Sequence, residues 1–159
     1  MESHLPQFKL KEGDLFPNVI LKNQNGVDIS IQEINIDFVV LFFYPEDNTP
    51  TCTKEACGIR DNFEVLEKYN CKVFGVSPDN EKSHRKFISN HQLNYDLLVD
   101  EDHKLASELG IWGMKFTFGR AYAGLHRVSY VLNKSKKIHK IIYPVESAIH
   151  TQQIIDCLH

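Results

Sequence analysis

No run of about 18 consecutive apolar residues occurs in the chain, so no segment reads as a membrane-spanning helix. The opening residues, Met1-Glu2-Ser3-His4-Leu5-Pro6, hold neither a basic patch nor an apolar stretch, and the expectation is a soluble, cytoplasmic protein. Lysine and arginine form no stripe, and 18 basic against 21 acidic residues leave a net charge of -3, which argues against nucleic-acid binding. Four cysteines are too few and too unevenly spaced for a disulfide framework, so reduced thiols are the baseline state. Internal repeats and low-complexity tracts are also missing. The eight histidines show no metal-ligand spacing, and Cys52 with Cys57 lacks a second ligand pair for zinc.

What is present fits one domain spanning residues 1–159, with 42% hydrophobic residues to build its core. Residues 19–21 and 27–29 flank Asn23-Gln24-Asn25-Gly26 as a small hairpin, expected as an added N-terminal layer. Ser30 and Glu33 stand at capping-box spacing ahead of a short helix. Residues 38–44 are seven consecutive apolar or aromatic residues, the mark of a strand buried on both faces. Thr49 then Pro50 reads as an N-cap hydroxyl followed by a first-position proline. From there Cys52, Ala56, Ile59, Phe63 and Leu66 recur at helical spacing as one core-facing stripe.

Residues 71–77 form a second core strand, which makes a parallel β-α-β unit with the first. Helices are predicted over residues 80–91 and 102–109, the latter stopped by Gly110, with an apolar segment at 97–99 between them. Residues 111–125, with three glycines among aromatics, read as a long loop of the kind that is usually functional or disordered. Residues 128–132 and 138–143 pair as a hairpin, and Ser147 opens a last helix with Ile154, Ile155 and Leu158 inward. This order predicts a thioredoxin-like α/β fold: a mixed sheet flanked by helices, with an N-terminal β-hairpin extension.

Cys52 is the candidate reactive atom. A thiol reacts as its thiolate, which the positive end and unpaired N–H groups of a helix's first turn stabilise. Thr49, one turn earlier, can offer its hydroxyl to a small substrate. Cys57 follows on a more polar face. Residues five apart in an intact helix have Cα atoms about 8–9 Å apart, whereas a disulfide usually needs less than about 7 Å. The two thiols can therefore join only if the first turns unravel. That suits a cycle in which Cys52 is oxidised to a sulfenic acid by a peroxide and then condenses with Cys57. A thiol–disulfide oxidoreductase and a non-enzymatic redox switch or holdase are the alternatives. Cys71 and Cys157 read as structural, and Glu55 as a first-turn acid complementing the helix dipole.

Pro45-x-x-x-Thr49-x-x-Cys52 resembles the signature of the peroxiredoxins, and Cys57 five residues on is similar to their bacterioferritin comigratory protein, or PrxQ, subfamily. The likeness extends through Gly75-Val76-Ser77-Pro78-Asp79, Leu97-Leu98-Val99-Asp100, Trp112-Gly113-x-Lys115, Gly119-Arg120-x-Tyr122-x-Gly124 and Arg127-x-Ser129-Tyr130-Val131-Leu132. Thr51 departs from it, standing where glycine is common, as does Val19, where phenylalanine is usual. The resemblance implies that Cys52 is peroxidatic and Cys57 resolving. It also implies that Thr49 hydrogen-bonds the peroxide, Pro45 shields the sulfenic acid and Arg127 stabilises thiolate and transition state. Without it, Arg127 would read as a solvated strand-end charge. It further implies hydroperoxide substrates, thioredoxin as reductant, no prosthetic group and a monomer.

Overall fold

Strand and helix alternate as their sequence periods require. In the computed structural model, which describes residues 5–117 and 119–158, strands β1 (Ile20–Asn23) and β2 (Asp28–Ser30) form a hairpin, and a 3-10 turn over Ile31–Glu33 follows. Then come β3 (Phe38–Phe43), α1 (Pro50–Asp61), α2 (Phe63–Lys68), β4 (Cys71–Ser77), α3 (Glu81–His91) and β5 (Leu97–Val99). A 3-10 turn leads into α4 (Lys104–Leu109), and β6 (Trp112–Thr117), β7 (Arg120–Leu125), β8 (Val128–Leu132), β9 (Ile138–Ile142) and α5 (His150–Ile155) complete the chain.

Seven strands join in the order β2-β1-β5-β4-β3-β8-β9. β3, β4 and β5 run parallel to one another, and the outer neighbours β1 and β8 pair antiparallel. This is the expected mixed sheet with helices on both faces. The N-terminal hairpin is present, but it is no separate layer: β1 pairs with β5 and so widens the same sheet.

β3 sits at the centre, and its alternation divides the interior. Val39, Leu41 and Phe43 pack with Phe16, Leu105, Leu109 and Tyr130 on one face. Val40, Phe42 and Tyr44 pack with Cys52, Ala56, Ile59, Phe87 and Ile154 on the other. Helices α1, α3 and α5 therefore cover the face that holds Cys52.

Two readings are corrected. The stripe of α1 does not run on through Phe63. The Asn62 side chain donates to the Gly58 carbonyl, its backbone leaves the helical region (φ -113°, ψ 18°), and Phe63 opens α2 exposed. The described part of residues 111–125 is not an irregular loop: Trp112–Thr117 and Arg120–Leu125 pair as β6 and β7, a two-stranded sheet of its own, and residue 118 lies outside the described residues. Trp112 anchors it by stacking on His103, with ring centroids 3.6 Å apart. Gly110 does stop α4, in the left-handed conformation at φ 80°, and a Cβ there would collide with the Gln7 carbonyl that packs against it.

Candidate active site

The carboxyl ends of parallel strands are where helices begin and loops gather, and the proposed reactive residues meet at that end of β3. Pro45 follows the strand, Thr49 stands at the N-cap of α1, and Cys52 is the third residue of that helix. Cys52 is 1% exposed within the apolar cluster, and Cys57 is half-buried. Both are free thiols in a continuous helix, so the separation expected from helix geometry holds. Thr49 is at the cap but does not cap: its hydroxyl donates to the Glu46 carbonyl, 3.1 Å away, and no side chain closes the first turn.

Arg127 arrives through sheet register. β8 runs antiparallel to β3 with Val128 opposite Phe43, which brings the preceding Arg127 level with the start of the Pro45 loop. Its guanidinium lies 3.5 Å from Glu55, one helical turn beyond Cys52, and is only 21% exposed. Arg127 is thus no solvated strand-end charge. Glu55 is likewise no surface acid. It is buried, with its second carboxylate oxygen 3.2 Å from His150 Nδ1 on α5, although neither contact is aligned as a hydrogen bond. Burial raises Glu55 to about 7 against the opposing pull of Arg127. Burial and the same guanidinium push His150 down to about 3, and its Nε2 sits 2.7 Å from the Ser129 hydroxyl.

A second polar group lies under the loop. Asp47 is the only buried residue between Pro45 and Pro50. It accepts from the Tyr44 hydroxyl at 2.6 Å and the Ser83 hydroxyl at 2.8 Å, and its Oδ2 lies 2.7 Å from His84 Nδ1. Its backbone N–H donates to Asp79 at 2.7 Å. His84 Nε2 donates to the Leu98 carbonyl at 2.9 Å, so its Nδ1 and the Asp47 carboxyl share one proton between them. Burial, with Asp47 beside it, drives the Tyr44 phenol well above its ordinary range. Ligand atoms of Asp47, Asp79 and His84 lie within 4.8 Å of one another, a spacing fit for a cation. Protein donors already occupy the Asp47 oxygens and Asp79 Oδ2, and both His84 nitrogens are engaged, so the cluster is complete in itself.

The chain that places a buried cysteine at this helix start and an arginine just before β8 has known relatives. Residues 12–141 match the AhpC/TSA family. The chain is similar to the bcp protein of Helicobacter pylori strain J99, 42% identical over 94% of this chain and 99% of that one. It is also similar to peroxiredoxin Bcp of Escherichia coli K12, 34% identical over 94% and 96% of the two chains. The chain belongs to the AhpC/TSA family. It is a peroxiredoxin of the Bcp/PrxQ type and hence a thiol-dependent peroxidase, an oxidoreductase. Among solved structures, peroxidoxin BcpB of Mycobacterium tuberculosis superposes with a TM-score of 0.82 at 28% identity, covering 94% of this chain and 96% of that one.

In this peroxiredoxin, residue spacing pointed to Cys52, Cys57 and Thr49 and the family resemblance to Pro45 and Arg127, whereas neither pointed to Asp47, His84 or His150, which the structure packs beside the loop and α1. Asp47 and His84 carry no local signal, since each gains its meaning from a partner 37 residues away. His150 could have been flagged only as a histidine inside an otherwise apolar helix face. The remaining thiols sit apart from the loop's partners. Cys71 opens β4 with its thiol pushed up to about 12 by burial, and Cys157 lies beyond α5, its thiol donating to the Gln153 carbonyl.

Proposed function

We propose that this peroxiredoxin reduces hydrogen peroxide and small organic hydroperoxides through Cys52, is resolved by Cys57 and is recycled by thioredoxin or a similar dithiol. The observation that carries the reading is Cys52 in the first turn of α1, buried, with Glu55 one turn on and the Arg127 guanidinium 3.5 Å from that carboxylate. The thiolate attacks the terminal peroxide oxygen, the O–O bond breaks, and the departing oxygen takes a proton to leave as water or alcohol. Cys52 is then a sulfenic acid. Attack by the Cys57 thiolate forms the S–S bond and expels the sulfenic oxygen as water, and an external dithiol returns both thiols by supplying two electrons and two protons.

Thr49 takes the role of hydrogen-bonding the peroxide as an acceptor: its proton goes to the Glu46 carbonyl, and its oxygen is left to receive the peroxide O–H. Arg127 stabilises the thiolate and the charge that develops on the leaving oxygen, and Pro45 covers the pocket. We read the chain as one domain acting as a cytoplasmic monomer. No helix among the described residues is long and apolar enough to cross a membrane.

The decisive experiment is peroxide turnover with a thioredoxin system. Cys52→Ser should abolish it, and Cys57→Ser should leave one sulfenic acid that dimedone traps at Cys52. Intact mass and digestion after one equivalent of peroxide should show a Cys52–Cys57 link. Undiminished turnover in Cys52→Ser would overturn the reading.

A further inference from the structure

The first turn of α1 has two opposed duties if Cys52 and Cys57 react as proposed, and the following inference rests on that reading. Intact, the turn stabilises the thiolate for attack on peroxide. Opened, it lets the two sulfurs meet. Whatever holds the turn only in its closed form sets the balance between the two steps.

The turn's own sequence holds it weakly. Thr49 makes no cap, and no acid occupies the first turn. The segment immediately before it is pinned firmly. Asp47 joins the loop to β3 through Tyr44, to α3 through Ser83 and His84, and to the β4–α3 connection through Asp79. Asn48, in the left-handed region at φ 61°, accepts from Asn90 of the same α3 at 3.4 Å. His84 is itself fixed by the Leu98 carbonyl of β5. It is fully buried, and the Asp47 side chain is 1% exposed, so water does not replace these bonds while the loop is seated.

We propose that His84 is a positioning residue for the peroxidase cycle: by holding Asp47 it seats the Pro45–Thr49 loop and so governs how readily the start of α1 unravels. It touches neither peroxide nor thiol and acts through the loop alone. Loosening it favours the opened helix, so disulfide formation quickens while sulfenic acid formation does not. A purely structural histidine would leave both steps unchanged or slow both.

Rapid mixing with hydrogen peroxide separates the steps. Sulfenic acid formation is followed by dimedone trapping in a Cys57→Ser background, and disulfide formation by quenched intact mass with both cysteines present. His84→Gln should speed the disulfide step by about tenfold, the equivalent of one charge-assisted hydrogen bond, with the first step slowed or unchanged. Ser83→Ala removes a single hydroxyl donor and should speed it by about fivefold, which decides the matter if His84→Gln folds poorly. A disulfide step that is unchanged or slower, or a first step that is faster, overturns the inference. If the parent protein itself yields no sulfenic acid or no Cys52–Cys57 link, the underlying reading fails. If the parent yields both and the variants do not speed the second step, the inference alone fails.

Discussion

From Pro50 to Lys54, α1 receives no side-chain hydrogen bond from elsewhere among the described residues, whereas from Glu55 onward it is tied at every turn. Tyr95 donates its hydroxyl to the Ala56 carbonyl at 2.8 Å, Asn94 donates to the Arg60 carbonyl, and Arg60 reaches the His91 carbonyl at 2.7 Å. Glu55 meets Arg127 and His150. One helix thus carries a lightly held half bearing Cys52 and a firmly held half bearing Cys57. The difference teaches which thiol moves. Local opening follows the segment with the fewest tertiary ties, so in the proposed cycle Cys52 would travel to Cys57 and not the reverse.

The sharpest way to break this contrast is at Glu55, where the halves join. Burial raises Glu55 from its ordinary 4.5 to about 7, so the stability it confers is complete below about 4.5 and is lost as pH rises through 7. His150, lowered from 6.5 to about 3, behaves oppositely: its contribution is complete above 6.5 and is lost as pH falls toward 3. Between 4.5 and 6.5 the two slopes oppose each other in the parent. His150→Asn should expose a stability that rises as pH falls through that window, and Glu55→Gln one that falls. Each slope should approach about 1.4 kcal/mol per pH unit at most, read from urea midpoints across pH.

Smaller changes sharpen the contrast. Tyr95→Phe removes a bond to the firmly held half and should cost about 1 kcal/mol in global stability, with a weaker effect on disulfide formation than His84→Gln. Thr51, exposed in the lightly held half, should respond in reverse. Thr51→Gly costs a few tenths of a kcal/mol in helix propensity, and it should speed disulfide formation about twofold while the urea midpoint barely moves.

The central strands were legible because β3, buried on both faces, reads as an unbroken apolar run and β4 as a shorter one from Val73 to Val76. The β6–β7 hairpin was not, because it packs outside the main sheet. Gly113, Gly119 and Gly124 interrupt any alternation, and its anchor, Trp112 on His103, involves a residue from another element. At the site, Cys52 and Thr49 announced themselves by position in a helix start. Glu55 misled because an acid in the sixth position of a helix ordinarily faces water, and only the closure of β8 and α5 over it makes it buried. Polar contacts formed between elements far apart in sequence leave no periodic trace in the chain.

The alternation of β3 has a further consequence for the energetics of turnover. Val39, Leu41 and Phe43 belong to a packed layer that does not include α1. Fraying of that helix therefore unzips a sub-global unit while the opposite layer stays assembled. Amide protons in β3 and β8 should keep their slow hydrogen exchange in the disulfide form, while those of Thr53 and Lys54, the first in α1 with a backbone acceptor, lose theirs. In the proposed cycle each turnover would disturb one side of a partition and leave the other as the template on which the helix rewinds.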